Sequence, residues 1–138
     1  REDNTGGGTA VDLSTYTVKG GTLKTNGDTL WLWFSGEKFG ALSTTVSIVV
    51  DGTVYTNFAG TTVGYWKYLM VLTRVDATTV KISGMGFSPN NTGMTAYKTQ
   101  TITLASDFII KVTSQTTSTG PTSYYRQYSM LCNFIRTG

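Results

Sequence analysis

From Val11 onward, apolar and polar residues alternate over short runs separated by turn residues. No window carries apolar residues at i, i+3, i+4 and i+7, so the pattern predicts strands of period two and no amphipathic helix. Val46, Ile48 and Val50 share one side with Ser47 opposite, and Phe108, Ile110 and Val112 share one side with Lys111 and Thr113 opposite. Trp66, Tyr68, Met70 and Leu72 likewise oppose Lys67 and Thr73. The alternation predicts strands at Thr15–Lys19, Thr29–Ser35, Thr45–Val50, Thr53–Asn57, Tyr65–Arg74, Thr78–Phe87, Tyr97–Leu104, Phe108–Ser114 and Tyr124–Ile135. Asp51-Gly52 is the strongest hairpin signal, because a two-residue type I′ turn needs positive φ at both central positions. Asn26-Gly27-Asp28 and Ser118-Thr119-Gly120-Pro121 mark further turns, and Ser88-Pro89-Asn90-Asn91-Thr92-Gly93 reads as a loop. Eight or nine short strands without a crossover helix make the expected fold all-β: an antiparallel β-sandwich of jelly-roll type with about eight strands. Residues 1–10, with Gly6, Gly7 and Gly8 in succession, are expected to form a flexible lead-in to a single domain at 11–138.

Two strands depart from simple alternation. In Thr29–Ser35, Leu30, Leu32 and Phe34 supply a core face, yet Trp31 and Trp33 stand on the other side. In Tyr124–Ile135, strict alternation groups Tyr124, Arg126, Tyr128, Met130, Cys132 and Phe134 against Tyr125, Leu131 and Ile135. A sandwich strand has one core-facing side, so aromatics on both sides need a second apolar environment. A covering loop, a subunit interface and a sugar-stacking surface all satisfy that need. Trp31, Trp33, Tyr65, Trp66, Tyr124 and Tyr128 are the interface or glycan-stacking candidates.

Composition narrows the chemistry. Of the 138 residues 27 are Thr and 16 Gly, charged residues make up only 14%, and there is one Cys and no His. Without His there is no Ser-His-Asp or Cys-His nucleophile, and zinc or non-haem iron loses its commonest nitrogen ligand. Cys132 alone excludes an intrachain disulfide framework and reads as a small core filler. Most of the eight acids fall in turns, at strand junctions or in the lead-in. Glu37 is the free-looking carboxylate, with Lys38 beside it as a natural partner, and no spacing suggests the paired carboxylates of a glycosidase. Calcium has no DxDxDG run to hold it. The expectation is no enzyme, no metal and no cofactor. Asn90-Asn91-Thr92 fits an N-glycosylation sequon, a pattern that marks a surface loop.

The net charge of +3 comes from basic residues that are scattered and never adjacent. That argues against nucleic acid, which selects clustered Lys and Arg, and fits weak attraction to an anionic surface. No apolar run is longer than the five residues of Tyr68 to Leu72, too short for a membrane-inserted helix. The chain begins at Arg1 rather than Met, as a processed or partial chain would.

The order of motifs resembles a known module. Leu23-Lys24-Thr25-Asn26-Gly27-Asp28-Thr29-Leu30-Trp31-Leu32-Trp33-Phe34-Ser35-Gly36 is similar to the "L-K-x-x-G-D-x-L-x-[apolar]-x-x-x-G" opening of a small jelly-roll module of tailed-bacteriophage structural proteins. Val46–Tyr55 with its Asp51-Gly52 turn resembles that module's next hairpin. Gly64-Tyr65-Trp66 leading to Arg74, then Phe108–Ser114 and Tyr128–Ile135, continue the resemblance in order, from about Leu13 to Ile135. Trp31 and Trp33 stand where the module carries smaller residues. The resemblance implies a virion-surface component: a capsid decoration protein, head fibre or tail-fibre tip. It further implies a homotrimer that contacts other virion proteins, with the Gly-rich lead-in as anchor. A receptor- or carbohydrate-binding module that takes a host-surface glycan is the alternative.

Overall fold

A computed structural model describes residues 3–4, 8–40, 43–60, 62–89, 91–116 and 124–137, with backbone alone for residues 3, 4, 60, 91–93, 124 and 125. Among these residues the strands are β1 (Asp3–Asn4), β2 (Val11–Val18), β3 (Thr29–Phe39), β4 (Thr44–Val50), β5 (Thr53–Gly60), β6 (Gly64–Arg74), β7 (Thr79–Ser88), β8 (Asn91–Thr101), β9 (Phe108–Thr116) and β10 (Tyr124–Ile135). They form two antiparallel sheets: a large one in the order β1-β10-β3-β6-β7-β8 and a small one in the order β2-β9-β4-β5. Their facing sides share one apolar core, which makes the fold a β-sandwich. The two chain ends are wound together in the jelly-roll manner, β2 on β9 in one sheet and β3 on β10 in the other. A hairpin, β4–β5, and a meander, β6–β7–β8, complete the sheets.

The Asp51-Gly52 turn takes the expected conformation, with φ of 45° and 75°. Asp28 closes the turn before β3 by accepting the backbone N–H groups of Lys24 at 2.8 Å and Thr25 at 2.9 Å. Other expectations need correction. Asn91, Thr92 and Gly93 are strand rather than loop, because the β7–β8 hairpin already closes at Ser88 and Asn91. The strand expected at Tyr97–Leu104 leaves the sheet at Thr101. The Ile102 N–H then donates to the Thr78 carbonyl, and Ile102 and Leu104 turn into the core from a loop. Asp3–Asn4 of the lead-in pairs with β10. The rest of the Gly6–Gly8 stretch up to Gly7, the sequon's Asn90 and the Ser118–Pro121 turn lie outside the described residues.

Two bulges explain where period-two reading slips. In β5, Tyr55 is an extra residue between the pairs Ile48–Thr56 and Val49–Val54, so Tyr55 and Phe58 both reach the core although three positions apart. In β10, Tyr128 is extra between Gln127–Gly36 and Ser129–Ser35. The face therefore switches at Tyr128. Met130, Cys132 and Phe134 pack against the core, whereas Arg126 lies across from Glu37 on the outer side. Arg126 and Tyr128 therefore do not share a side with Met130, Cys132 and Phe134, as unbroken alternation groups them.

An aromatic cluster ties the sheets together. Phe58 packs on Trp66 with ring centroids 5.6 Å apart and on Tyr68 at 6.3 Å, and Tyr55 meets Tyr68 edge-on at 6.5 Å. These rings fit because glycines face them. A Cβ on Gly36 would sit 2.7 Å from the Trp66 ring and 2.0 Å from the Arg126 carbonyl oxygen. Backbone cannot yield as a side-chain tip can, so Gly36→Ala is expected to cost about 1–3 kcal/mol or more through overpacking. Chemical denaturation reads this directly; an unchanged midpoint would show that β3 and β10 are not in this register.

Candidate functional site

The antiparallel registers place outward side chains of the large sheet in rows across five strands. One row is Leu131, Trp33, Leu69, Met85 and Thr95; the next is Asn133, Trp31, Val71, Ser83 and Tyr97. On the other side of the first row run Ser129, Ser35, Lys67 and Phe87, followed by Arg126, Glu37 and Tyr65. The centre of this face is therefore apolar. Trp33 is 45% exposed, Met85 60%, Phe87 47% and Leu131 63%, while Trp31, Leu69 and Val71 are half-buried by their neighbours. Trp33, Leu69, Met85, Phe87, Lys67 and Thr95 line a groove of about 420 Å³ on it.

The outer face of the small sheet is different. Its outward positions include Thr45, Ser47, Lys111, Thr113 and Gln115, with Val49 beside Lys111 and with Ile109 and Val54 as exposed aliphatics. Lys111 is paired with Asp12 at 3.1 Å. A polar surface of this kind keeps its water. The aliphatic and aromatic band opposite does not hydrogen-bond water and gains free energy when covered.

A polar corner borders the band. Arg126 pairs with Glu37 at 3.3 Å, both side chains being about one-fifth exposed. The Tyr128 hydroxyl meets the Glu37 carboxylate, and that contact holds the phenol above its ordinary pKa, with partial burial adding to it and Arg126 opposing. Glu37 thus pairs with Arg126 rather than with Lys38. Adjacent residues on a strand point to opposite faces, and Lys38 goes inward. It is buried, its Nζ donates to the Gly40 carbonyl, and burial lowers its pKa.

The six sequence-derived candidates separate. Trp31, Trp33 and Tyr65 share the outer face, and Tyr128 stands exposed at the bulge beside it. Trp66 is fully buried and faces Phe58, so it belongs to the core and reaches neither a partner nor a glycan. Tyr124 pairs with Phe39 on the backbone, and its side chain is outside the described residues. Leu69, Met85, Phe87, Tyr97 and Leu131 were not singled out by the sequence, because apolar residues in strands are assigned to the core by default. The signal was Gly84-Met85-Gly86-Phe87: if the glycines face the core, the large side chains face out. Both glycines do, since a Cβ at either would fall within 2.6 Å of Tyr68.

Among the described residues, no convergent acid pair borders the groove. Asp12, Asp51 and Asp107 line a separate depression of about 330 Å³ on the small sheet, away from Glu37. Among the described residues, no three His, Cys, Asp or Glu side chains group to hold a metal. Cys132 is half-buried, and its contact with the Tyr16 hydroxyl, together with burial, pushes that phenol up to about 12.

Three carboxylates stand below their ordinary pKa. The cause is the Thr25 N–H for Asp28, the Lys19 ammonium for Asp107 and the Thr78 N–H for Asp76. A depressed folded-state pKa contributes stability above the unfolded value, and that stability is lost as pH falls through the folded one. With no His to titrate, thermal stability is expected to be flat between about pH 5.5 and 7.5 and to fall below about pH 4. A scan of thermal midpoint against pH tests this; a steep slope near pH 6.5 would contradict it.

No known protein family matches the chain, and no characterised protein is significantly similar to it in sequence.

Proposed function

We propose that this protein is a non-enzymatic structural component of a virion surface, a capsid decoration protein, head fibre or tail-fibre tip, that acts by protein–protein association. The observation that carries the reading is the asymmetry of the sandwich. One outer face is mostly polar, with Ile109 and Val54 as its exposed aliphatics, and the other exposes Trp33, Met85, Phe87, Tyr97 and Leu131 around an apolar groove. Interface cores are enriched in aromatics and Met and depleted in charge, which is the composition of this band. The motif order from Leu23 to Gly36 supplies the virion context.

The glycan alternative fits the groove less well. A sugar ring brings hydroxyls that give up water on binding, and each needs a partner. The polar groups on its outward side chains are the Lys67 ammonium, the Thr95 hydroxyl and the Trp33 indole N–H, the Tyr68 side chain being buried. A protein surface with its own apolar anchors matches that lining better. The test is binding of purified protein to particles of the encoding virus assembled without it, alongside a glycan array. Saturable binding to particles and none to glycans is expected; the reverse would move the protein to the glycan-binding class.

A further inference from the structure

The sandwich has two open sides, and they are finished differently. On one side, β5 and β8 are stitched across the gap: the Tyr55 hydroxyl donates to the Ala96 carbonyl at 2.7 Å, and Lys98 Nζ donates to the Val54 carbonyl at 3.2 Å. On the other side β10 edges the large sheet. There, among the described residues, β1 pairs with Tyr125 and Arg126, and no described strand pairs with residues 127–135 on the side away from β3. The Gln127 side chain, which takes the Ser14 hydroxyl on its oxygen, donates to the Ser129 carbonyl at the bulged end.

An open edge is a template for another strand, and proteins normally defend it with Lys, Pro or an inward charge. The run Gln127-Tyr128-Ser129-Met130-Leu131-Cys132-Asn133-Phe134-Ile135 has no charge and no proline. Its outward Leu131 and Ile135 are exposed, and its inward Met130, Cys132 and Phe134 are only partly covered. Among the described residues, the seam between β10 and β2 is therefore incompletely closed.

We infer that the β10 edge is a two-fold contact between copies of this chain, β10 pairing antiparallel with β10 of a second copy to make one continuous sheet. A two-fold contact needs a self-complementary surface, which an uncharged strand laid antiparallel on itself provides. β1 already runs antiparallel on this edge, so the geometry of addition exists in the fold. The flanking cations stay outside the ladder: Arg126 is neutralised by Glu37, and Arg136 lies beyond Ile135 over the Phe134 ring. Placing Leu131 opposite its symmetry mate joins the Trp33–Leu131 row of one copy to the Leu131–Trp33 row of the next. The apolar band then runs unbroken across both subunits. The resemblance implies a trimer, whereas this edge specifies a pair.

The contact is independent of the virion reading and is tested without particles. Sedimentation across a concentration series is expected to show dimers, and Leu131→Lys, an exposed position that leaves the core intact, should weaken them at least about tenfold. Register is read by single cysteines placed at positions 129, 131, 133 and 135 in a Cys132→Ser background. Mild oxidation should give a cross-linked dimer most strongly from Leu131→Cys, because only the residue on the two-fold axis faces itself at disulfide distance. Mixed Ser129→Cys and Asn133→Cys proteins should then cross-link with each other. Monomers at every concentration, a trimer that Leu131→Lys leaves intact, or equal cross-linking at all four positions would overturn the inference. Met85→Asp should leave the dimer unchanged, which separates failure of this contact from failure of the outer-face reading.

Discussion

Trp66→Ala is expected to lower the free energy of unfolding by about 3–5 kcal/mol, the range for truncating a buried Trp or Phe. Trp66 is fully enclosed, in contact with Phe58 from the opposite sheet and against the backbone at Gly36. Removing the indole opens a cavity where the two sheets meet, and Gly36 has no side chain to fill it. Loss on this scale is a large part of the 5–15 kcal/mol that holds a domain together. Equilibrium denaturation measures it. A loss below 1 kcal/mol would mean that Trp66 is not in the core.

Trp33→Ala should do the opposite. Trp33 is three residues from Gly36 on the same β3 strand, but it points outward and is 45% exposed. Its stability cost is expected to be much smaller than that of Trp66→Ala. Its effect on association should be large, because Trp residues at the centre of an apolar patch are the usual hot spots, at 2 kcal/mol or more each. That corresponds to roughly a 30-fold weaker contact. Met85→Asp, which puts a carboxylate into the groove at an exposed position, should weaken association comparably and leave stability within about 0.5 kcal/mol. Binding isotherms and denaturation curves on the same preparations separate the two effects. Full binding by both variants would place the contact elsewhere.

Much of the fold was legible because β patterning is local. The alternation in β4, β6 and β9 and the Asp51-Gly52 turn each carry their answer within a few residues. What escaped depends on events between strands. The bulges at Tyr55 and Tyr128 insert one residue and reverse every later side chain, with no marker in the sequence. Glu37 and Lys38 look like a pair on paper, yet the pleat sends one out to Arg126 and the other into the interior. Trp31 and Trp33 announced a second apolar surface, but its extent required the registers that bring Leu69, Met85 and Leu131 into line with Trp33. Trp66 as a surface candidate runs against its own strand pattern: alternation sets it on the apolar side with Tyr68, Met70 and Leu72, and that whole side is buried while Tyr65 is exposed.

The outer face of the large sheet is the centre of this account, and one titration addresses it most directly. On the proposed virion reading, particles assembled without this protein are titrated with wild-type protein, Trp33→Ala, Met85→Asp and, as a control on the opposite, mostly polar face, Thr113→Asp. The wild type and Thr113→Asp are expected to bind with the same affinity, and the two outer-face variants at least about tenfold more weakly. Equal affinity of all four, or selective loss with Thr113→Asp, would contradict it.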